Sequence, residues 1–202
     1  MHEIDVVPHL TWINSTRSQA LENAKTIFKS GITDLLALRG DDRKETNYTN
    51  LSDIYSNTLE FITDLRQLTL GKIRVATYPE KHPKSVSPEQ DIEWLNKKFT
   101  ASADEGITQF FFEADTFLRF RDNCEKSGIK KKIIPGILPI HDFEKVKKKW
   151  HIFVVQTSRT GYLKLSKKQN VTIAVNYFQR LFAQRCAKPL WKKGLWIFIF
   201  TQ

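Results

Sequence analysis

No stretch of this 202-residue sequence is apolar for the roughly eighteen consecutive positions that a membrane-spanning helix needs. The opening Met1-His2-Glu3-Ile4-Asp5 also lacks the basic segment and following apolar run of a secretory leader. Both absences point to a soluble, cytoplasmic protein with no membrane partner. Cysteine is scarce. Cys124 and Cys186 stand in no metal-ligand or redox spacing, which excludes a disulfide framework and a cysteine zinc site. The five histidines are scattered without ligand spacing, so no metal is expected. No Gly-x-Gly-x-x-Gly follows the first strand-like run, which weakens a dinucleotide-binding doubly wound reading. Acids are absent from positions 150–202, which hold nine Lys and Arg, whereas positions 1–149 hold all 22 acids against 23 Lys and Arg. The net charge of +10 is therefore a property of the tail, and a basic nucleic-acid-binding protein is supported by that tail alone.

What is present is enough for one sizeable core: 41% of the residues are apolar and 12% aromatic. Apolar, β-rich runs recur at 4–10, 34–38, 73–78, 107–112 and 133–138, each followed by a stretch of helical periodicity. The helical stretches read as 18–30, 51–68, 88–101, 114–127 and 141–149, with Gly31, Gly71 and Gly128 behind three of them. The third has the clearest start: Ser87 as cap, Pro88 at the first helical position and Gln90 completing a capping box. Five βα units imply a parallel sheet with covered faces. A doubly wound sheet and a barrel both fit this rhythm. Polar residues at the carboxyl ends of most runs favour the barrel, because catalytic barrels place their working side chains there.

Five segments carry a recognisable pattern: Pro8-His9-Leu10-Thr11, Leu35-Leu36-Ala37-Leu38-Arg39-Gly40-Asp41, Ala76-Thr77-Tyr78-Pro79-Glu80-Lys81-His82-Pro83, Ile107-Thr108-Gln109-Phe110-Phe111-Phe112 and Ile134-Pro135-Gly136-Ile137-Leu138-Pro139. In this order and spacing the sequence resembles the bacterial-type flavoprotein methylenetetrahydrofolate reductases, over about residues 5–149. The resemblance implies an α/β fold of the (β/α)8 TIM-barrel family, here an incomplete barrel of about strands three to seven with an irregular C-terminal tail. It implies bound FAD, a folate substrate and NAD(P)H as partners, and reduction of 5,10-methylenetetrahydrofolate to 5-methyltetrahydrofolate. Intact members of the family can form homo-oligomers.

Residue roles follow from the same resemblance. Asp41 matches the carboxylate beside the flavin ring, where a negative charge tunes hydride donation, and Gln109 matches the glutamine that hydrogen-bonds the pterin. These two are the catalytic candidates, with Gln109 also the substrate-binding one. His9, Arg39, Gly40, Tyr55, Tyr78, His82 and Ser85 match positions that contact the flavin or its phosphates. Asp91, Lys97 and Lys98 match the helix that holds the adenosine-diphosphate half, the lysines supplying point charges. On residue type alone, the competing reading is a turn aspartate, hydrogen-bonded histidines and a solvated helix face with an ion pair. Three positions depart from the pattern. Trp94 replaces a polar residue, Lys97 replaces an arginine and so loses the bidentate fork, and Ser102 replaces the glycine of an Asp-Ala-Gly-Ala-Asp turn. Serine adopts positive φ less freely than glycine, so the turn at Ser102 is expected to be strained.

At the ends the resemblance fails. The family's first-strand Glu-Phe-Phe-Pro-Pro motif, which carries the glutamate thought to protonate the folate nitrogen, has no counterpart. The match also stops near Lys149, dividing the chain into a barrel-like region 1–149 and a basic aromatic tail 150–202 with three of the five tryptophans. Joining the last base of each tail codon to the first two of the next forces alanine at Trp150-His151, glutamate at Trp191-Lys192 and aspartate at Trp196-Ile197. The same shift permits Asp-Phe-His-Phe-Tyr-Thr at the end, the closing signature of the family. The tail is therefore expected to be an out-of-frame translation, and an inactive remnant of the enzyme stands as the alternative function.

Overall fold

The structure is a computed structural model, and it describes residues 7–41, 53–111, 114–137 and 198–199. Five strands and four helices alternate: β1 His9–Thr11, α1 Arg17–Lys29, β2 Leu35–Leu38, α2 Thr58–Arg66, β3 Ile73–Thr77, α3 Pro88–Thr100, β4 Glu105–Thr108, α4 Ala114–Lys126 and β5 Lys132–Ile134. β1 to β5 form one sheet in the order β1-β2-β3-β4-β5. The β1–β2 and β2–β3 pairs are parallel, with His9 opposite Leu36 and Leu36 opposite Arg74. Strand order identical to chain order decides between the two architectures left open by the sequence. A doubly wound sheet reverses direction at a switch point, whereas a barrel is wound one way throughout. The described sheet is wound one way, as a stretch of (β/α)8 barrel must be.

A second parallel pair joins β6 Gly136–Ile137 to β7 Phe198–Ile199. The run expected as one strand at 133–138 is thus divided at Pro135, which has no N–H to give a ladder. Phe198 and Ile199 are tail residues in a strand, a departure from an irregular tail. The expected helix at 141–149 and the rest of the tail lie outside the described residues.

Contacts divide the chain into two compact units. Among the described residues the first holds 7–41, 53–77, 92–107 and 129–133. One face of its sheet presents Leu35, Ala37, Ile73 and Val75, all buried, on the strands that α2 contacts, and α2 buries Phe61, Ile62 and Leu65; α1, with Ala20 and Ala24 buried, lies against β1 and α2. Over β4, a Cβ placed on Gly106 would lie 3.5 Å from Phe99 and 3.6 Å from Leu95, so α3 sits close upon that strand. Truncating fully buried Phe61 to alanine would cost about 3–5 kcal/mol on the scale of core deletions.

Local signals set the helix starts. Asn57 accepts from the N–H groups of Leu59 (2.8 Å) and Glu60 (3.2 Å), so α2 begins well after the expected position 51. Thr16 and Gln19 form a capping box on α1, a Thr-x-x-Gln pattern visible in the sequence, so the helix opens at Arg17, one residue before the expected start. On α3, Ser87 Oγ accepts from Gln90 N–H (3.3 Å), but the Gln90 side chain takes the N–H of Val86 (2.9 Å) rather than that of Ser87.

β4 starts at Glu105, earlier than expected, because its acidic beginning is neutralised. Buried Glu105 accepts from Arg74 Nε (2.9 Å) and Lys72 Nζ (3.1 Å), and Arg74 also reaches Asp34 (3.0 Å). Asp104 is held by Arg66. This ionic layer lies at the amino ends of β2, β3 and β4, where barrels concentrate stability rather than chemistry.

The second unit holds, among the described residues, 78–91, 108–111, 114–128, 134–137 and 198–199. Its core includes Phe111 stacked on Phe117 with ring centroids 5.6 Å apart, together with Ala114, Phe120 and Cys124.

Candidate functional site

The sequence candidates follow strand ends. In the first unit, Arg39-Gly40-Asp41 continues β2 and is pinned by the residues that continue β1. Trp12 N–H donates to Leu38 O (3.3 Å), Ile13 N–H to Arg39 O (2.9 Å) and Asn14 Nδ2 to Asp41 O (3.0 Å). Gly40 has φ +86°, and a Cβ there would stand 2.9 Å from Ile13 Cγ2 and 3.0 Å from Thr11 Cβ. Glycine is therefore required by this chain's own packing, before any cofactor is considered. The result is a loop with a fixed backbone and the exposed side chains of Arg39 and Asp41. The clamp residue Asn14 was missed from sequence. The signal was the residue type, an asparagine directly after the β1 run, since asparagine tolerates the left-handed region better than most residues and Asn14 adopts it at φ +61°.

His9, on the same strand face as Leu36 and Arg74, keeps part of its imidazole exposed, while partial shielding from water lowers its pKa from the ordinary value. Tyr55 is buried. Its hydroxyl donates to Asp64 (2.9 Å), its ring meets Trp12 edge-on (6.2 Å), and the Arg17 guanidinium lies 4.7 Å above it. Burial first, and then the Asp64 carboxylate, push the phenol pKa above its usual value. Arg17 also binds Glu60. Tyr55 therefore serves the packing of this unit, together with Arg17, Glu60 and Asp64, which the sequence reading did not single out. Lys98 is buried, with Nζ donating to Ala76 O (2.7 Å). Exposed Lys97 pairs with Glu93 one turn earlier (2.7 Å), as the competing reading of that face expected.

In the second unit Tyr78 and His82 meet edge to face with ring centroids 4.6 Å apart. Buried Asp91 accepts from His82 N–H (2.7 Å) and from Ser85 Oγ. Gln109, just past β4, is half-buried, and its neighbour Thr108 is fully buried with Oγ1 accepting from Gly136 N–H (2.9 Å). The structure thus brings Tyr78, His82, Ser85 and Asp91 into one cluster. Among the described residues no group of three His, Cys, Asp or Glu side chains could hold a metal ion, and no helix is long and apolar enough to cross a membrane.

A family model described as Methylenetetrahydrofolate reductase matches residues 1–173. The chain belongs to that family. The 5,10-methylenetetrahydrofolate reductase of Buchnera aphidicola subsp. Schizaphis graminum is 44% identical over 145 residues, covering 72% of this chain and 48% of that protein. The enzyme of the same name from Escherichia coli K12 is 39% identical over 145 residues, 72% of this chain and 47% of that protein. The chain therefore spans about half the length of the curated methylenetetrahydrofolate reductases it matches. Among solved structures, an uncharacterized Clostridium thermocellum protein described as binding two copies of 5-methyl-5,6,7,8-tetrahydrofolic acid aligns with a TM-score of 0.48 at 12% identity, over 95% of this chain and 85% of that one.

Proposed function

We propose that this chain is the flavin-holding portion of an FAD-dependent reductase that converts 5,10-methylenetetrahydrofolate to 5-methyltetrahydrofolate with a reduced nicotinamide, in the cytoplasm. The observation that carries the reading is the pinned Arg39-Gly40-Asp41 loop, placed at a barrel-strand carboxyl end in a chain of this family. When bound, FAD supplies the two-electron chemistry that relays hydride from nicotinamide to folate. The residues present suit it. The exposed Asp41 carboxylate opposes build-up of negative charge on a ring beside it, and Arg39 offers a delocalised cation for an oxygen of the cofactor. His9 remains neutral at physiological pH through its lowered pKa and can donate or accept without adding charge. Gln109 combines a carbonyl and an amide, which suits an alternating partner such as a pterin edge and then a nicotinamide. Tyr78, His82 and Ser85 serve the cofactor's polar half in the second unit, and exposed Lys97 can exchange Glu93 for a phosphate at low cost. Buried Tyr55 and Lys98 act by holding structure.

Purification tests this directly. The expected protein is yellow, retains FAD through gel filtration, and oxidises reduced nicotinamide with menadione. A folded but colourless protein that takes up no added FAD overturns the reading in favour of a non-catalytic remnant.

We further infer that residues 150–202 are translated out of frame, supported by the complete lack of acids there and by the residues that the shifted codons force. The family-model match runs to residue 173, past the point where the motifs stop. The coding DNA decides the matter. A shifted frame without codons for Asp-Phe-His-Phe-Tyr-Thr at the end sinks the inference.

A further inference from the structure

The loop between β1 and α1 is braced at both ends. At its start the buried Trp12 indole donates from Nε1 to Thr58 Oγ1 on α2 (3.2 Å), and Ile13 N–H donates to Arg39 O (2.9 Å). At its end Thr16 and Gln19 lock each other in the capping box of α1, with Gln19 N–H on Thr16 Oγ1 (3.2 Å) and Thr16 N–H on Gln19 Oε1 (3.0 Å). Between these braces stands Asn14, at φ +61°. β1 and β2 pair as parallel strands, and the ladder continues past them through the N–H groups of Trp12 and Ile13 on Leu38 O and Arg39 O. At Asn14 the backbone turns into the left-handed region, and the next bond to the β2 side comes from the side chain instead: Asn14 Nδ2 donates to Asp41 O (3.0 Å). The side chain thus adds a rung beyond the end of the backbone ladder.

We propose that Asn14 is a positioning residue for Asp41, passing the rigidity of the braced loop to the far end of the Arg39-Gly40-Asp41 turn and so setting where the Asp41 carboxylate stands against a bound flavin; the flavin rests on the functional reading above, the bracing of Asp41 does not. The turn needs such a hold. The Asp41 side chain is exposed, so its aim depends on the backbone that bears it. Arg39 O before Gly40 and Asp41 O after it are gripped by successive residues of one loop, and Gly40 between them packs against Thr11 and Ile13. Two carbonyls held on either side of a left-handed glycine leave the intervening peptides little room to rotate. The influence of a charge falls with distance, and a displacement of about 1 Å is enough to slow a reaction that uses the displaced group.

Nitrogen-15 relaxation of the full chain tests the bracing without any cofactor. Two variants are compared with wild type. Asn14→Gly takes φ +61° freely but adds flexibility, Asn14→Ala is stiffer but strained there, and what both lose is the donor. Both should lower the order of the Gly40 and Asp41 amides and leave those of Gly31 and Gly128, which turn elsewhere, as in wild type. Unchanged order at Gly40 and Asp41 in either folded variant overturns the proposal. The second arm is the rate at which reduced nicotinamide bleaches bound FAD, followed by stopped flow. Asn14→Gly should slow it roughly threefold to tenfold, the worth of one hydrogen bond, and should add no slowing on top of Asp41→Asn. A hold that served only the fold would slow both backgrounds alike. Equal slowing in the two backgrounds, or none in Asn14→Gly, overturns the link to the chemistry. Wild-type protein that takes up no FAD overturns the flavin reading, and the relaxation arm then decides the bracing by itself.

Discussion

Three helices of this chain end in the same way, and one of them does so with the wrong residue. α1 is followed by Gly31 at φ +88°, with its N–H on Phe28 O (3.0 Å), and α4 by Gly128 at φ +81°, with its N–H on Glu125 O (3.0 Å). α3 is followed by Ser102 at φ +83°, with Ser102 N–H on Phe99 O (3.1 Å) and Ala103 N–H on Lys98 O (3.1 Å). This is the Schellman arrangement, whose left-handed position belongs to glycine. Ser102→Gly keeps every one of these bonds, including the one from Arg66 to Ser102 O (3.0 Å), because all are made by the backbone. What changes is the conformational term. Relief of a left-handed side-chain-bearing residue is worth about 1–2 kcal/mol, and the extra freedom of glycine in the unfolded chain returns about 0.5–1 kcal/mol of it. The net expectation is a stabilisation of about 0.5–1 kcal/mol, or a rise in melting temperature of roughly 1–4 °C for a chain of this size. Urea unfolding followed by circular dichroism measures it, with an unchanged m-value showing that the denatured state is comparable. The reciprocal changes Gly31→Ser and Gly128→Ser should each cost a similar amount, since a Cβ at either site meets nothing within 4 Å and only backbone preference is altered. A Ser102→Gly midpoint equal to or below wild type would refute the reasoning.

Other expectations follow from the same geometry. Gly40→Ala adds steric contact with Thr11 and Ile13 to the left-handed cost, so it should destabilise by about 2–4 kcal/mol in urea unfolding and release flavin, whereas Gly31→Ala should lose only about 1 kcal/mol. Asp34 has its pKa lowered: burial works against this, but the Lys72 N–H and the Arg74 guanidinium outweigh it. Its contribution is therefore complete above the unfolded carboxylate pKa of about 4 and is lost as pH falls through the folded value, so Asp34→Asn should flatten the acid limb of a stability–pH curve. Burial pushes the Cys124 thiol up to about 12, and in a Cys186→Ser background it should resist iodoacetamide at neutral pH until urea unfolds the protein; rapid labelling of native protein would contradict its place in the core. Asp41→Asn should leave stability within about 0.5 kcal/mol of wild type, because the side chain is exposed, while altering the rate at which bound flavin is reduced; an unchanged rate would remove Asp41 from the chemistry.

The sequence made the alternation of strands and helices legible because apolar runs and glycine stops recur regularly, whereas the one-way winding, which polar strand ends only favoured, is decided by a strand order that follows chain order. It made strand and helix limits less legible wherever a side chain competed with the local pattern. Asn57 captured two amides and started α2 late, Pro135 divided a run that composition alone would make one strand, and Arg74 neutralised Glu105 so that an acidic residue could open β4. The candidate site divides along the same line. Asp41, Arg39 and Gln109 could be read from order and spacing, since motif position carries them to strand ends. That Tyr55 and Lys98 would turn inward could not, because the partners that claim them, Asp64 and Ala76 O, are chosen by packing between helices and strands. Asp91 falls between these cases: its match marks it as part of the candidate site, and the structure shows what spacing does not, that it accepts from His82 N–H and Ser85 Oγ. Matched motif positions therefore point to candidate residues, while the hydrogen-bond partners each of them takes are set by packing that order and spacing do not carry. On that basis Asp41→Asn, at an exposed side chain, should change flavin chemistry without changing the fold, whereas Asp91→Asn, at a buried carboxylate that accepts from His82 and Ser85, should also loosen the segment ahead of α3.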